Sequence, residues 1–382
     1  MNRSRSATHS AGRLRSAVQT ASSAPHPLLA DALAGKPPEL VHLDALCHHL
    51  GVVQFARGDT RDLESGFCVD DNARALIVAV DALDLDSKNA RAHRIGEAAL
   101  ALLERTQLGD GSFHNMLDAV GERIEENGLS DAASGRALWA LGIVVARASD
   151  GSWRSRAGAL LKNSWNCARR LKTFRPQAYA LLGAAAAAPV SPQAKRVVDD
   201  LGATLLDAYQ RSATPQWEWW EPVLTWGNAR LPEAMLRAAP VADSRHPFEA
   251  SGLRALNFLA SITQEDGVFV PIGNDGWYQR GAKRARHDQQ PIEAAGMVDA
   301  WLAAAERTGD DHYWEQALAA FAWFLGVNTE RLIVADLQTG GCHDGLGPGW
   351  RNRNMGAEST LSYLQAHCAI ARYARGKAAR SA

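Results

Sequence analysis

Acidic residues occur where several helices are predicted to start, and a pair of neighbouring aspartates is the clearest case. Asp70 and Asp71 lie in "SGFCVDDNARALIVAV" (65–80), directly before a run of small apolar residues. Two carboxylates that face one substrate can divide acid–base chemistry between them, since a protonated carboxyl group donates a proton and an ionised one accepts it. The other acidic candidates for the same site are Asp131, Glu218, Glu221, Glu293, Asp344 and Glu358.

Tryptophans lie among acidic residues in "SATPQWEWWEPVLTWG" (212–227), where Glu218 and Glu221 flank Trp219 and Trp220. Aromatic faces stack on the apolar faces of sugar rings, and nearby carboxylates bind sugar hydroxyls. A hydrophobic plug that closes the core is the alternative interpretation. Carboxylates among tryptophans are costly to bury without partners, so the segment favours contact with a carbohydrate.

Two further polar segments predict contacts with a substrate. "RARHDQQPIEAAG" (284–296) and "TGGCHDGLGPGWRNRNMGAEST" (339–360) both combine histidine, arginine and acidic residues close to a predicted helix start. With polar and aromatic side chains from other segments, they complete a candidate substrate-binding set: Asp70, Arg74, Arg136, Glu218, Trp219, Trp220, Asn228, Trp277, His287, Gln290, His343, Asp344, Arg353 and Glu358.

Several other functions lack the patterns that they require. The net charge is −1 and the pI is near 6.9, which gives no general attraction for nucleic acid or an anionic membrane. No HExxH, GxSxG or GxxxxGK[ST] pattern occurs, so no metal, no serine nucleophile and no cofactor is predicted. The five cysteines form no CxxC pair and no apolar run is long enough to span a bilayer; together these features predict a cytoplasmic protein.

Helical periodicity dominates the chain, and strand-like alternation is scarce. Long loops rich in Trp, Gly, Asp and His alternate with short ones, except that 172–174 is short where the rhythm predicts a long loop. The predicted helices span 42–52, 70–85, 90–106, 129–148, 153–171, 175–187, 192–211, 228–238, 246–264, 290–307, 311–327 and 356–375.

Alternating loop lengths indicate helical hairpins whose long loops all emerge at one end. The helices after the long-loop positions open with polar residues and continue with small ones, as in "DDNARALIVA", "SDAASGRALWALG" and "GNARLPEAML". Six hairpins closed in a ring form an all-α (α/α)6 toroid, in which the inner-helix N-termini line one bowl. An α-solenoid is the alternative, but it would need more uniform repeats and capping repeats. We therefore expect a single toroid domain over 39–377 after a disordered tail over 1–38.

A bowl lined by carboxylates and tryptophans is suited to cleaving the glycosidic bond of a short oligosaccharide. Asp71 and Glu293 are the preferred catalytic pair, with Asp131 and Glu221 next, and Asp70 is expected to cap the helix that follows it. Carboxylates crowded in a desolvated pocket have raised pKa values, which suits the acid role. A separation of roughly 6.5–9.5 Å between the two carboxylates gives inversion and about 5 Å gives retention, and inversion is favoured here.

Two other functions fit the same scaffold. A sugar isomerase or epimerase would need a base near neutral pH, and His287 and His343 are the candidates. A non-catalytic glycan-binding module that serves a glycosyltransferase would need only the aromatic and polar lining of the bowl.

Three motifs resemble a bacterial family of (α/α)6 proteins that are described as glycosidase-like or glycosyltransferase-associated. The motifs are "FCVDDNARAL", "WEWWEPVLTWGNARLPEAML" and "GGCHDGL…NRNMGAESTLSYL", and the resemblance covers about residues 40–375. Phe67 replaces an expected tyrosine, and Pro222 replaces an expected acidic residue. The resemblance implies a toroid, a glycan-directed site and, as a partner, a glycosyltransferase or phosphorylase encoded nearby.

Overall fold

The computed structural model describes residues 26–243 and 245–381, and within these residues the chain is mostly helical, with long loops that carry short strands. The helices are α1 (Pro27–Leu33), α2 (Val41–Leu46), α3 (Val69–Leu85), α4 (Ala90–Thr106), α5 (Asp131–Arg147), α6 (Gly151–Ala168), α7 (Phe174–Ala187), α8 (Pro192–Ser212), α9 (Arg230–Ala238), α10 (Arg245–Thr263), α11 (Pro291–Thr308), α12 (Asp311–Ala322) and α13 (Ala357–Ser381).

Six of these helices form a closed inner ring. Helix α3 packs against α5, and the contacts continue through α7, α9 and α11 to α13, which packs against α3 and closes the ring. The outer layer consists of α4, α6, α8, α10 and α12, each following its inner partner, while α1 and α2 cover the outside of α13. This closed arrangement is the predicted (α/α)6 toroid and excludes the open solenoid.

The inner helices approach one another closely because small residues occupy their contacts. Gly142 on α5 faces Gly183 on α7, and a Cβ atom added to either glycine would overlap the backbone of the other helix. A Cβ on Gly135 would lie 2.6 Å from the carbonyl oxygen of Pro176. The alanine- and glycine-rich text of the inner helices therefore reflects backbone contact as well as helix propensity.

All six inner helices run in the same direction, so the ring has two different mouths. The first turns of neighbouring inner helices meet at one end, where Asp70 of α3 pairs with Arg136 of α5. The last turns meet at the other end, where Arg147 of α5 pairs with Asp81 of α3. We call these ends the N-terminal mouth and the C-terminal mouth.

The long loops are held together by short antiparallel pairs. The strands are β1 (Cys47–His48), β2 (Gly51–Val52), β3 (Phe55–Arg57), β4 (Thr60–Asp62), β5 (Phe67–Cys68), β6 (Met116–Leu117), β7 (Val223–Leu224), β8 (Gln264–Glu265), β9 (Val268–Phe269), β10 (Tyr278–Gln279), β11 (Leu346–Gly347) and β12 (Trp350–Arg351). Strand β5 pairs with β6, and β7 pairs with β10, so each of these pairs joins two different long loops at the N-terminal mouth.

Several expected helix ends differ from the structure, since the helix predicted over 311–327 ends at Ala322 and the one predicted over 356–375 ends at Ser381. The helix predicted over 42–52 ends at Leu46, and the chain continues as the β1–β2 hairpin. Gly51 has a φ of 138° and lies against Asn72 and Leu102, a position that a side chain would not fit.

The N-terminal boundary lies earlier than the predicted residue 39. Helix α1 falls inside the stretch expected to be disordered, yet its Leu29 and Ala32 are buried against the rest of the protein. The remainder of that expected tail, residues 1–25, lies outside the described residues. Within the described residues, no helix is both long and apolar enough to cross a membrane.

Candidate active site at the N-terminal mouth

The paired aspartates occupy the first turn of α3, but a cysteine caps this helix. The Sγ atom of Cys68 accepts the backbone N–H of Asp71 at 3.3 Å, and the Cys68 thiol donates to the Oδ2 atom of Asp71 at 3.0 Å. The expectation that Asp70 caps the helix is therefore corrected. Asp70 still lies in the first turn, where the helix dipole stabilises its negative charge.

Asp71 is almost completely buried and is held by a charged partner. The Nη2 atom of Arg74 donates to its Oδ1 atom at 2.7 Å, and only 3% of the residue is exposed. Burial raises the pKa of Asp71 to about 6, while the positive charge of Arg74 opposes this rise. A carboxyl group with such a pKa exchanges its proton close to neutral pH.

Arginines connect the aspartates to two other inner helices. Arg74 also binds the Oε2 atom of Glu358 on α13, at 3.0 Å. Arg136 on α5 pairs with Asp70, whose Oδ1 atom has no hydrogen-bond partner among the described atoms. Side-chain exposure is 27% for Asp70 and 47% for Glu358. Glu358, rather than the buried Asp71, is the more accessible carboxylate of this group.

Aromatic rings continue the site beyond Arg136. Its guanidinium group lies 4.6 Å from the ring centroid of Tyr179 and 5.1 Å from that of Trp226. Cation–π contacts of this kind hold both partners in place. Trp226 is half-buried, so it is the tryptophan of segment 212–227 whose ring borders the charged part of the mouth.

Glu293 lies in the first turn of α11, in another part of the inner ring. It is 6% exposed, and it accepts hydrogen bonds from the backbone of Gly227 and, at 3.2 Å, from Nδ2 of Asn228. Burial raises its pKa, and the hydrogen bond from Gly227 opposes that rise. Arg175 extends the network, because it binds Glu221 at 2.6 Å and Asn228 at 3.1 Å.

The loops before α11 and α13 contribute further titratable groups. Asp344 accepts the backbone N–H of Gly356 at 2.8 Å, and burial raises its pKa. Burial also raises the pKa of Asp288 and lowers the pKa of His343. Three atoms here are buried without a hydrogen-bond partner among the described residues: Oδ1 of Asp288, Nδ1 of His287 and Nδ1 of His343.

Together these contacts bring the first turns and preceding loops of the inner helices into one acid-rich site. Carboxylates outnumber guanidinium groups in it, and burial favours the protonated form of several of them. Such a site can both donate and accept protons near neutral pH. Among the described residues, no group of three histidine, cysteine or acidic side chains is arranged to hold a metal ion.

Two predicted acidic residues lie outside this network. Asp131 is exposed at the start of α5, where it accepts the backbone N–H of Lys172 at 3.0 Å. Glu218 accepts from the hydroxyl of Tyr209 on α8 and lies 3.5 Å from Arg254 on α10. Their partners lie in the connection before α7 and in the outer layer, so these contacts tie them to the scaffold rather than to the other carboxylates.

For Trp219 and Trp220 the structure agrees with the alternative interpretation, a hydrophobic plug that closes the core. Their exposed fractions are 0% and 3%, and the indole N–H of Trp220 donates to the carbonyl oxygen of Leu205 at 2.8 Å. These rings close the core and present no free face to a sugar, which corrects the expectation of stacking.

Three other predicted contacts remain at the edges. Trp277 is half-buried against the core with a φ of 56°, Gln290 precedes the first turn of α11, and Arg353 is exposed in the loop before α13. Their contact with a substrate stays a prediction.

Sequence reasoning missed several residues of the network, although most stand beside a motif that it selected. Arg175 and Tyr179 lie in a helix start that had been recognised as part of the repeat, and Trp226 and Asp288 lie in two selected segments. The capping role of Cys68 had no sequence signal, because a cysteine is not among the preferred capping residues.

Comparison with known proteins establishes the fold. No protein-family model matches the chain, and no curated protein matches it. A sugar epimerase from a ruminal bacterium superposes with a TM-score of 0.70 at 13% identity, covering 91% of this chain and 99% of its own. Cellobiose 2-epimerase from Bacillus thermoamylovorans B4167 has a TM-score of 0.69 at 13% identity, covering 91% and 98%. The cellulase Cel9M of C. cellulolyticium, solved with cellobiose, has a TM-score of 0.61 at 8% identity, covering 91% and 98%.

At these identities the likeness concerns architecture. The chain is an (α/α)6 toroid, and its neighbours in structure include both epimerases and a glycoside-cleaving enzyme. The chemistry of this chain has to be argued from its own site.

Proposed function

We propose that this chain is a carbohydrate-active enzyme that cleaves the glycosidic bond of a short oligosaccharide at the N-terminal mouth. The observation that carries the proposal is the grouping of Asp71, Arg74 and Glu358, two carboxylates from different inner helices joined through one guanidinium group. Glycosidic cleavage needs two carboxyl groups in unequal environments, and Asp71 is buried while Glu358 is half exposed.

Asp71 is the proposed general acid. Its raised pKa leaves it partly protonated near neutral pH, so it can pass a proton to the oxygen of the leaving sugar. Arg74 contacts Asp71 and Glu358 through the same nitrogen atom and keeps the two carboxyl groups in a fixed relation. The ring of Trp226, held beside Arg136, offers an aromatic surface for a sugar ring.

Two carboxylates can complete the reaction, and the stereochemistry of the product distinguishes them. Glu358 shares the Nη2 atom of Arg74 with Asp71, which holds the nearest oxygens of the two closer than the roughly 6.5–9.5 Å that inversion requires. Inversion therefore needs a more distant base, and we propose Glu293 for that role. Retention would assign the nucleophile to Glu358 instead.

Turnover of an oligosaccharide panel tests the proposal. The full chain is incubated with mannosides, glucosides and related oligosaccharides, with and without phosphate, and the anomeric configuration of the released sugar is followed by NMR. We expect cleavage of at least one class and a loss of roughly 10²–10⁴-fold in rate for Asp71→Asn, since that is the usual contribution of a general acid. Asp207→Asn, which alters an exposed pair with Arg211 on the outer layer, is the matched control and should retain full activity. Failure to cleave any class would contradict the proposal.

Sugar epimerisation is the second candidate, and the unpartnered Nδ1 atoms of His287 and His343 favour it. A buried imidazole with a lowered pKa, as burial gives His343, is neutral and can accept a proton. Two of the structural neighbours are described as a sugar epimerase and a cellobiose 2-epimerase. Conversion of a reducing disaccharide to its epimer, lost in both His287→Ala and His343→Ala, would support this reaction; full activity in both variants would exclude it.

Association with a glycosyltransferase or a phosphorylase remains a prediction. A non-catalytic glycan-binding role would give saturable sugar binding that survives Asp71→Asn, without turnover of any sugar.

A further inference from the structure

A cavity opens at the C-terminal mouth, at the opposite end of the toroid axis from the candidate active site. Its volume is about 420 Å³, within the roughly 300–1,000 Å³ range of small-molecule sites. All six inner helices line it, each with residues from its middle or last turns, from Ile77 on α3 to Arg380 on α13. It is thus the open half of the central channel, and no step proposed above uses it.

Four arginines line this cavity, together with acidic residues of which Glu306 is the most exposed, with 43% of its side chain accessible. Arg147, Arg237 and Arg372 line it, with side-chain exposures of 22%, 34% and 35%. The acidic residue Asp81, which binds two of these arginines, is only 6% exposed. Arg380 lies over the ring of Tyr373, and both residues line the same cavity.

Each of the acidic residues Asp81 and Glu306 pairs with an arginine, and these arginines keep further guanidinium donors. Arg147 uses its Nη2 atom for both Asp81 and Asp84, and its Nε atom is buried without a hydrogen-bond partner among the described atoms. Arg237 uses Nη1 for Glu306. A ligand that enters the cavity meets the N–H donors of four arginines as well as the carboxylate of Glu306, and the arginine donors favour a ligand rich in acceptor oxygens.

Deeper in the cavity, a buried charged group limits the negative charge. Glu233 and Asp299 share Arg230, at 2.6 Å and 2.7 Å. Burial raises the pKa of both carboxyl groups, which favours the form in which the pair retains a proton. Arg230 lies 4.7 Å from the ring centroid of Trp139, so this floor is rigid.

Apolar side chains form part of the remaining wall. Ile143, Leu182 and Leu302 line the cavity between the arginines and the floor. An apolar wall beside a cluster of guanidinium groups suits a ligand with one anionic end and one carbon-rich end.

We infer that the C-terminal cavity is a second binding site, and that its ligand is a small phosphomonoester. The phosphate oxygens accept hydrogen bonds from Arg147, Arg237 and Arg372, since guanidinium groups match phosphate geometry. The organic part of the ligand lies against the apolar wall.

Helix dipoles account for part of this arrangement. Cations near helix C-termini are stabilised by the partial negative charge there, and Arg147 and Arg237 both lie in last turns. That effect explains the positions of these arginines. It does not require an open cavity of this volume lined by four arginines, and the proposal rests on that cavity.

Calorimetric titration of the full chain tests the inference independently of any catalytic activity. The probes are glucose 6-phosphate, glucose 1-phosphate and phenyl phosphate, with free glucose as the uncharged comparison. We expect saturable binding of at least one phosphomonoester and weaker or absent binding of glucose. Arg237→Gln and Arg372→Gln should each weaken that binding by roughly tenfold, the value of one lost charge-assisted hydrogen bond.

Arg169→Gln is the matched control, because Arg169 is exposed and pairs with Asp200 on the outer layer. This variant should bind the phosphomonoester with the same affinity as the unmodified chain. If circular dichroism shows that either cavity variant does not fold, Arg380→Gln at the exposed rim is measured in its place. The inference is overturned if none of the three phosphomonoesters binds, if glucose binds equally well, or if the cavity variants bind as the control does.

Discussion

The two mouths of the toroid are built from the same six helices, yet their chemistry differs. At the N-terminal mouth, the accessible carboxylate of Glu358 pairs with Arg74, which is only 3% exposed. At the C-terminal mouth the pair of Asp81 and Arg147 has the reverse order, with the acid buried and the arginine more exposed, whereas Arg237 and Glu306 are both accessible. The distribution follows the helix dipole, which favours anions at N-termini and cations at C-termini.

The difference teaches how one scaffold can separate proton chemistry from anion binding. Long loops and short strand pairs cover the N-terminal mouth and add groups such as Trp226 and Asp344, whereas the C-terminal mouth carries only short connections. The N-terminal mouth therefore combines Asp71, whose pKa is raised to about 6, with the ring of Trp226, whereas four arginines line the C-terminal cavity.

The largest expected change in stability comes from the buried charges behind the C-terminal mouth. Arg230→Leu removes the single guanidinium group shared by Glu233 and Asp299. Breaking a buried pair in this way costs about 3–5 kcal/mol, and urea unfolding followed by circular dichroism measures it. Arg211→Leu, which removes an exposed pair, should cost less than about 1 kcal/mol. Equal effects of the two changes would show that the axial cluster is not the rigid floor described above.

The next effect concerns the N-terminal mouth and depends on pH. Asp71 has a pKa of about 6 in the folded chain and about 3.9 when unfolded. Between these values the folded state binds the extra proton, so the contribution of Asp71 to the unfolding free energy falls as the pH rises from about 4 to 6 and stays low above that. The full change is about 3 kcal/mol.

Unfolding of the unmodified chain and of Asp71→Asn across pH 4–7 measures the contribution of Asp71 to the unfolding free energy, since the variant cannot titrate at position 71. The stability of the unmodified chain relative to Asp71→Asn should fall as the pH rises. A relative stability that rises over the same interval would mean that Arg74 outweighs burial and that Asp71 is no proton donor at neutral pH.

Backbone contact between the inner helices gives a smaller effect. Gly142→Ala places a methyl group against the backbone of Gly183 and should cost about 1–3 kcal/mol, the usual result of overpacking. Gly158→Ala in outer helix α6 meets no neighbouring atom within 4 Å and should stabilise by about 0.5–1 kcal/mol. Thermal unfolding of both variants compares the two layers directly; a stabilised Gly142→Ala protein would contradict the close approach of α5 and α7.

The smallest expected effect is the loss of the Cys68 cap. Cys68→Ala removes the acceptor of the Asp71 N–H bond and the thiol donor to its carboxyl group, at a cost of about 1 kcal/mol. Cys68→Ser keeps both functions and should recover most of that loss in the same unfolding measurement. If the alanine and serine variants were equally stable, the hydrogen bonds of Cys68 would not contribute to the stability of the N-terminal mouth.

The fold could be predicted because local periodicity and loop length are properties of the sequence itself. The helix expected over 70–85 spans Val69–Leu85, and 90–106 coincides with Ala90–Thr106. The β1–β2 hairpin was missed because its backbone depends on packing of Gly51 against Asn72, a contact between distant segments. Helix α1 was missed because its short apolar pattern is stabilised by burial against α13 rather than by its own propensity.

The site could be predicted only in part, because residue type and spacing do not determine which way a side chain points. Asp71, Arg74 and Glu358 were selected and do form one network, and the selected Asp70 and Arg136 pair with each other. Trp219 has the same type and loop as Trp226 but is fully buried. Asp70 and Asp71 are adjacent in sequence, but successive positions of a helix point in different directions. One side chain is therefore partly exposed, and the other is buried.

The most direct test is the position of an uncleaved oligosaccharide in crystals of Asp71→Asn. The account predicts that the sugar lies at the N-terminal mouth, with the glycosidic oxygen within hydrogen-bond reach of residue 71 and one ring against Trp226. A sugar bound in the C-terminal cavity, or at the N-terminal mouth with residue 71 out of reach, would contradict the account.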